Sequence, residues 1–301
     1  MSSGSDSDWP LEPWTVQVLG DVRQRGYAPV AWAGLLASSW QRARETAHRE
    51  TALVGAWRRL TLALLAGSTA PIAFAWRRCG PRHGRHMGTL LLVGLGWQQA
   101  NAYLHLGMNR RLSDGVLLPE YGAALWLTYS RGAAASCLLA ATLTGLDLPG
   151  LAPGTVMVGA LTDALDGPLA RRCHHATKLG AYADGEADVM LAVALTLAAV
   201  RRGALHPTAV WSLLGARYLL PISIAFGVAF TRGRAPHLAH TRVGRLCGVA
   251  QAALMACALA PRRWQRVVEG PRRLLFLLTA VLAVASGLSH VPRILLRERG
   301  L

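Results

Sequence analysis

Asp163-Ala164-Leu165-Asp166-Gly167-Pro168-Leu169-Ala170-Arg171 and, after eight residues, Gly180-Ala181-Tyr182-Ala183-Asp184-Gly185-Glu186-Ala187-Asp188 form the stretch that decides the fold. Of the 16 acidic residues in the chain, five (Asp163, Asp166, Asp184, Glu186 and Asp188) fall within it, and only Glu269 and Glu298 follow. Asp163, Asp166 and Ala170 lie three and four residues apart and so share one face of a helix. Gly180, Asp184 and Asp188, each four apart, share a face of the next. The residues between, 171–179, are enough only for a short turn, so the two helices run antiparallel side by side. Four carboxylates therefore converge near one end of the pair. Glu186 lies off that face and reads as an outer or interface residue.

The surroundings of this stretch are apolar. The chain has 301 residues, 52% hydrophobic and 16% charged, whereas soluble domains carry about 25% charged residues. Several apolar runs reach roughly 20 residues, the length that crosses about 30 Å of hydrocarbon. The expected fold is an all-α polytopic transmembrane bundle. Six segments are predicted at 125–146, 154–170, 180–200, 209–230, 243–259 and 274–291, with Pro149-Gly150, Pro207, Pro236 and Pro261 at their joints. Two further membrane helices are expected at 60–76 and 88–107. The second carries Gln98, Gln99, Asn101 and His105, so it either packs against protein or stops short of spanning. Residues 1–50 read as a polar extension, disordered over Met1 to Asp8, with a short apolar stretch at 29–40 suited to lie at the interface as an amphipathic helix. The organisation read from the sequence is an extension over 1–50, a membrane hairpin over 51–118 and a six-helix domain over 119–301.

The net charge is +16, carried by 32 basic residues of which Lys178 is the only lysine. Arginine pairs such as Arg77-Arg78, Arg110-Arg111, Arg201-Arg202 and Arg272-Arg273 sit between apolar runs, where helix ends meet anionic headgroups. No nucleic-acid-binding signature accompanies them, and no nucleic-acid partner is expected. Cys79, Cys137, Cys173, Cys247 and Cys257 have no disulfide or metal spacing, and Cys173-His174-His175 reads as loop. Placing the basic turn 171–178 in the cytoplasm also puts 231–242 and 293–299 there. It sends the arginines of 77–85 and 262–273 to the other side, against the positive-inside bias.

Carboxylates at membrane depth persist only when paired, metal-bound or facing a polar cavity. Four together cannot neutralise one another, and they require cations. An all-oxygen set of this kind suits one or two hard divalent ions, Mg²⁺ or Mn²⁺. Gly167, Ala170 and Gly180 permit close approach of a helix or a flat ligand, and the guanidinium of Arg171 suits phosphate. Metals beside an arginine and a narrow crevice fit a pyrophosphate substrate, with a carboxylate taking the proton of a nucleophile. The same acids in a transporter would line an ion pathway.

At these residues the chain resembles the CDP-alcohol phosphatidyltransferases, whose signature D-x2-D-G-x2-A-R-x8-G-x3-D-x3-D is matched at all eight fixed positions. Leu127-Thr128-Tyr129-Ser130-Arg131 likewise looks like the Leu-Thr-x-x-Arg opening of the family's first helix. The resemblance implies a six-helix fold from about Tyr121 onward, usually in a homodimer. It implies that Asp163, Asp166 and Asp184 hold metal, two ions in all, and that Asp188 bridges a metal and is the general base. Gly167, Ala170, Arg171 and Gly180 would shape the CDP pocket. The implied reaction is attack of an alcohol on the lipid-linked phosphate of CDP-diacylglycerol, releasing CMP, in phospholipid biosynthesis at the cell membrane with the site facing the cytoplasm. Residues before about 120 have no counterpart in this likeness.

Gly244-Arg245-Leu246-Cys247-Gly248-Val249-Ala250-Gln251 resembles the G-K-x-x-T-x-x-Q element of the branch that makes phosphatidylglycerol phosphate or cardiolipin, with Arg for Lys and Gly for Thr. Arg217 sits where that branch has an arginine followed by an acid, here replaced by Tyr218. Arg131, Arg217 and Arg245 are the candidate acceptor-binding residues, and glycerol 3-phosphate or phosphatidylglycerol the expected acceptor. An inositol phosphate acceptor, or a membrane protein that binds CDP-lipid without turnover, is the alternative.

Overall fold

The computed structural model describes residues 13–232 and 242–296. Among them lie ten α-helices: α1 (Pro13–Gln24), α2 (Pro29–Arg49), α3 (Thr51–Cys79), α4 (Pro81–Leu104), α5 (Ala123–Thr144), α6 (Leu151–Arg172), α7 (Lys178–Arg201), α8 (Leu220–Arg232), α9 (Arg242–Ala258) and α10 (Gln265–Leu296). A π-helical segment, Val210–Leu219, runs directly into α8. Three spans are long and apolar enough to cross a membrane: Thr51–Cys79, Val210–Gly227 and Gln265–Ser289. Large apolar side chains such as Leu62, Trp97, Trp211, Leu277 and Val281 point outward along these and neighbouring helices, as they do where the solvent is lipid. The chain is an all-α polytopic membrane bundle.

The six predicted core segments each form a helix, α10 beginning at Gln265 rather than at 274. Residues 13–24 and 29–49 form helices in what the composition reads as a polar extension. Pro29 starts α2, where its missing N–H costs nothing, and the helix continues through the charged residues 41–49. An exposed helix of this kind leaves no apolar periodicity to read, yet its residues are good helix formers, and Gln41 Nε2 donates to Glu45 Oε1 one turn on (3.2 Å). Trp32, Leu36 and Trp40 stand at four-residue spacing, Trp32 packing on Phe230 (5.0 Å) and Trp40 on Tyr103 (5.4 Å) while each stays partly exposed. Met1 to Asp8 and most of the basic loop 231–242 lie outside the described residues.

Gln98, Gln99 and Asn101 of α4, and His105 just after it, all meet protein. Gln98 Nε2 donates to Ser136 Oγ (2.8 Å), Thr61 Oγ1 donates to Gln99 Oε1 (2.8 Å), and Asn101 Nδ2 donates to the Tyr182 hydroxyl (2.9 Å). His105 stacks on Tyr182 at 4.3 Å. Small residues let the helices close: a Cβ on Gly132 would lie 2.6 Å from Gln98 Oε1, and one on Gly94 would lie 3.0 Å from Ser136 Oγ. Within hydrocarbon such pairs satisfy polar groups that lipid cannot.

α5 is the central helix. Its Leu125 and Tyr129 pack with Leu53, Leu60 and Leu179; its Cys137, Ala140 and Ala141 with Met87, Leu91 and Leu95; its Ala135 and Leu138 with Leu195, Leu213 and Leu254. It thus joins the N-terminal hairpin α3–α4 to the helices that carry the acids. α6 and α7 touch each other at Gly159, where a Cβ would lie 2.6 Å from Leu191 Cδ2, but each packs far more extensively on α5 than on the other.

Candidate active site

The turn between α6 and α7 is closed by Thr177, whose Oγ1 accepts a hydrogen bond from the Gly180 backbone N–H (3.0 Å) and caps α7. The connection from α4 to α5 is strapped across this turn. Leu112 N–H donates to the Ala176 carbonyl (2.8 Å) and Lys178 N–H to the Arg110 carbonyl (3.0 Å). Buried Asn109 pins the strap internally, its Nδ2 donating to the carbonyls of Leu118 (2.8 Å) and Glu120 (3.0 Å).

With the turn fixed, Asp163 and Asp166 of α6 face Asp184 and Asp188 of α7. Carboxylate oxygens of Asp163, Asp166 and Asp184 all lie within 4.8 Å of one another. Between the two helices sits the guanidinium of Arg131, fully buried (0% exposed) and carried there by α5. Its Nη1 lies 3.2 Å from Asp163 Oδ1 and 3.5 Å from Asp188 Oδ1. Its Nη2 lies 3.3 Å from Asp166 Oδ2 and donates to Asp184 Oδ1. The sequence groups Arg131 with acceptor-binding residues; the structure places it inside the acid cluster. The spacing of the acids says where they converge but not that an arginine more than thirty residues upstream fills the gap, because that contact depends on how α5 packs.

Beside the cluster is a cavity of about 220 Å³ lined by Gly167, Ala170, Arg171, Gly180, Asp166 and Asp184, together with Asn109, Leu112, Thr128 and His175. The first four are the residues expected to shape a nucleotide pocket. Asn109, Leu112 and His175 carry no signal in the sequence, and they reach the cavity only because of the strap and the turn. Arg171 is exposed and folds back over Gly167, where a Cβ would lie 3.2 Å from its Nη1. The Cys173-His174-His175 run forms loop, with the His175 Nδ1 2.8 Å from the Cys173 carbonyl oxygen.

A second, apolar groove of about 570 Å³ lies among α3, α4, α5 and α6. Leu64 and Gly67 of α3, Trp126 and Ser130 of α5, and Gly154 and Val158 of α6 line it. Ser130 is next in sequence to Arg131, so the groove begins at the level of the acids and continues along α5 toward Cys137.

The remaining candidate arginines lie elsewhere. Arg217 projects from the π-helical segment toward α9, where a Cβ on Gly248 would lie 3.2 Å from its Nη2. Glycine at 248 thus makes room for the guanidinium. Arg217 Nη1 and the Gln251 Oε1 are buried without a hydrogen-bond partner. Arg245 is exposed on α9. Glu186 is off the cluster, its Oε1 buried.

Residues 122–287 match the family model described as CDP-alcohol phosphatidyltransferase. No curated protein and no solved structure matches the chain. The family match covers more than half of the sequence, begins at the N-cap of α5 and contains the whole acid cluster and its guanidinium. The chain belongs to the CDP-alcohol phosphatidyltransferase family, phosphotransferases that act on substituted phosphate groups.

Proposed function

We propose that the chain transfers the phosphatidyl group of CDP-diacylglycerol to glycerol 3-phosphate or phosphatidylglycerol at the cytoplasmic face of the cell membrane, as a homodimer. The observation that carries this reading is the convergence of the four aspartates beside a cavity lined by Gly167, Ala170, Arg171 and Gly180. The donor set fits a divalent ion: three carboxylates with oxygens within 4.8 Å of one another form the all-oxygen environment that suits Mg²⁺ or Mn²⁺. Asp163, Asp166, Asp184 and Asp188 would hold two such ions. Bound there, they supply neutralisation of the pyrophosphate charge as it shifts to the leaving group.

The protein's own residues do the rest. Gly167, Ala170 and Gly180 let the nucleotide approach the backbone of α6 and α7, and Arg171 grips its phosphate. The apolar groove takes the hydrocarbon of the lipid, leaving the pyrophosphate at the level of the acids. Asp188 accepts the proton of the acceptor hydroxyl as that oxygen bonds to the lipid-linked phosphorus. The bond from this phosphorus to the bridging oxygen breaks, and CMP departs with the electron pair. Arg217 and Arg245 receive the anionic part of the acceptor; the buried, unpartnered Nη1 of Arg217 supports an anion there.

CMP release by the purified protein in detergent, with CDP-diacylglycerol, Mn²⁺ and acceptors added singly, tests the proposal. Release with glycerol 3-phosphate or phosphatidylglycerol, abolished in Asp188→Asn, is the expected result. Release only with inositol phosphate would move the chain to another branch, and silence with every acceptor from folded protein would overturn the acceptor assignment and point to an unusual acceptor or a CDP-lipid binder.

A further inference from the structure

Among the described residues Arg131 is the largest fully buried side chain, and it touches all four aspartates. Each terminal nitrogen spans the crevice: Nη1 reaches Asp163 on α6 and Asp188 on α7, Nη2 reaches Asp166 on α6 and Asp184 on α7. Four carboxylates with one guanidinium leave the cluster with a formal excess of three negative charges. That residue of negative charge is what divalent ions would neutralise, and the oxygens they need are those the guanidinium already contacts. Because α6 and α7 pack mainly on α5 and little on each other, the guanidinium is also the tie between them at this level.

We propose that Arg131 is the resident cation of the acid cluster: it holds α6 and α7 together before metal loads, and it opposes metal binding by charge and by occupancy. It is a positioning residue that sets the affinity of the site for divalent ions. The inference rests on the reading that the four aspartates load Mg²⁺ or Mn²⁺. A fully buried guanidinium is costly unless its partners are close, so it stays charged and in place. A divalent ion arriving a few ångströms away meets like-charge repulsion from the buried guanidinium. Metal and Arg131 are therefore negatively coupled, and removing one strengthens the other.

The test uses the full-length protein in detergent, stripped with EDTA, with free Mn²⁺ followed by electron paramagnetic resonance and unfolding followed by thermal melts. Arg131→Gln should melt below wild type without metal, and the gap should close at saturating Mn²⁺. Its Kd for Mn²⁺ should be tighter by about tenfold or more. Arg131→Lys keeps the charge but cannot reach both helices twice, so it should show a smaller deficit, also reversed by Mn²⁺. This second variant decides the matter if the first does not fold. An unchanged or weaker Kd in Arg131→Gln, or a melting deficit in Arg131→Lys that Mn²⁺ leaves intact, overturns the proposal. Absence of Mn²⁺ binding in wild type and both variants overturns it together with the metal reading. Normal Mn²⁺ binding without CMP release from any acceptor would sink only the proposed reaction.

Discussion

Gly122 and His175 meet across the mouth of the nucleotide-sized cavity: a Cβ on Gly122 would lie 2.7 Å from the Cβ of His175. The glycine is the N-cap of α5 and the histidine belongs to the α6–α7 turn. Their contact therefore fixes the distance between the helix that brings Arg131 and the turn that brings Arg171 and Gly180.

Gly122→Ala should cost about 1–3 kcal/mol, as overpacking does in a close contact. The obstructing atoms are the His175 Cβ, Cγ and Cδ2, so His175→Ala would not relieve the strain, whereas His175→Gly would. A double-mutant cycle of Gly122→Ala with His175→Gly, read by thermal melts, should show a favourable coupling between the two. Additive losses would mean that the turn yields freely.

Asp163 is the most exposed of the four acids at 66% of its side chain, while Asp166 is 13% exposed. Arg131 keeps three partners when Asp163 is neutralised, and one repelling charge is gone. EDTA-treated Asp163→Asn should melt no lower than wild type, yet bind Mn²⁺ more weakly, on the order of tenfold, since affinity in such sites follows ligand charge. A lower melting temperature without metal would show that Asp163 is needed to hold the apo cluster together.

The guanidinium of Arg171 rests on the bare Cα of Gly167. A methyl there meets only the end of a flexible side chain, so Gly167→Ala should fold normally. It should raise KM for CDP-diacylglycerol by about tenfold, the loss expected when a charged hydrogen bond to phosphate is misplaced. Steady-state CMP release measures it, and an unchanged KM would remove Arg171 from the nucleotide's contacts.

Gly154 opens on empty space in the apolar groove, where an added Cβ would meet nothing within 4 Å. Gly154→Leu should leave the melting temperature level or higher, because leucine favours a helix over glycine by somewhat under about 1 kcal/mol. Turnover of long-chain CDP-diacylglycerol should fall severalfold while a short-chain analogue is processed as before. Equal effects on both would place the hydrocarbon elsewhere.

Much of this arrangement is legible in the sequence. The i, i+3 and i, i+4 spacing of the acids is local geometry, so counting alone brings Asp163, Asp166, Asp184 and Asp188 to one end of a helix pair. The core helices are legible too, since apolar length in a bilayer leaves few alternatives. What escapes are features set by packing between distant segments. The helix through residues 41–49 has no strong apolar stripe to read. Asn109 and Leu112 lie in irregular chain held by backbone hydrogen bonds. The guanidinium of Arg131 reaches the acids only through the contacts that seat α5. The polar α4 residues fall between these cases: Gln98 and Asn101 announce contact with protein, but nothing in the sequence names Ser136 or Tyr182 as their partners.

The strap between α4 and α5 alters how the protein can be cut and joined. Backbone bonds from Arg110 and Leu112 clip it to the α6–α7 turn, and Asn109 lends a wall to the cavity. The recognisable family region, starting at residue 122, is thus not a cassette that could be lifted out or grafted behind another leader. Severed there, it would lose part of the wall of its own cavity along with the hairpin, and any chimera would need to carry the chain from about α4 onward.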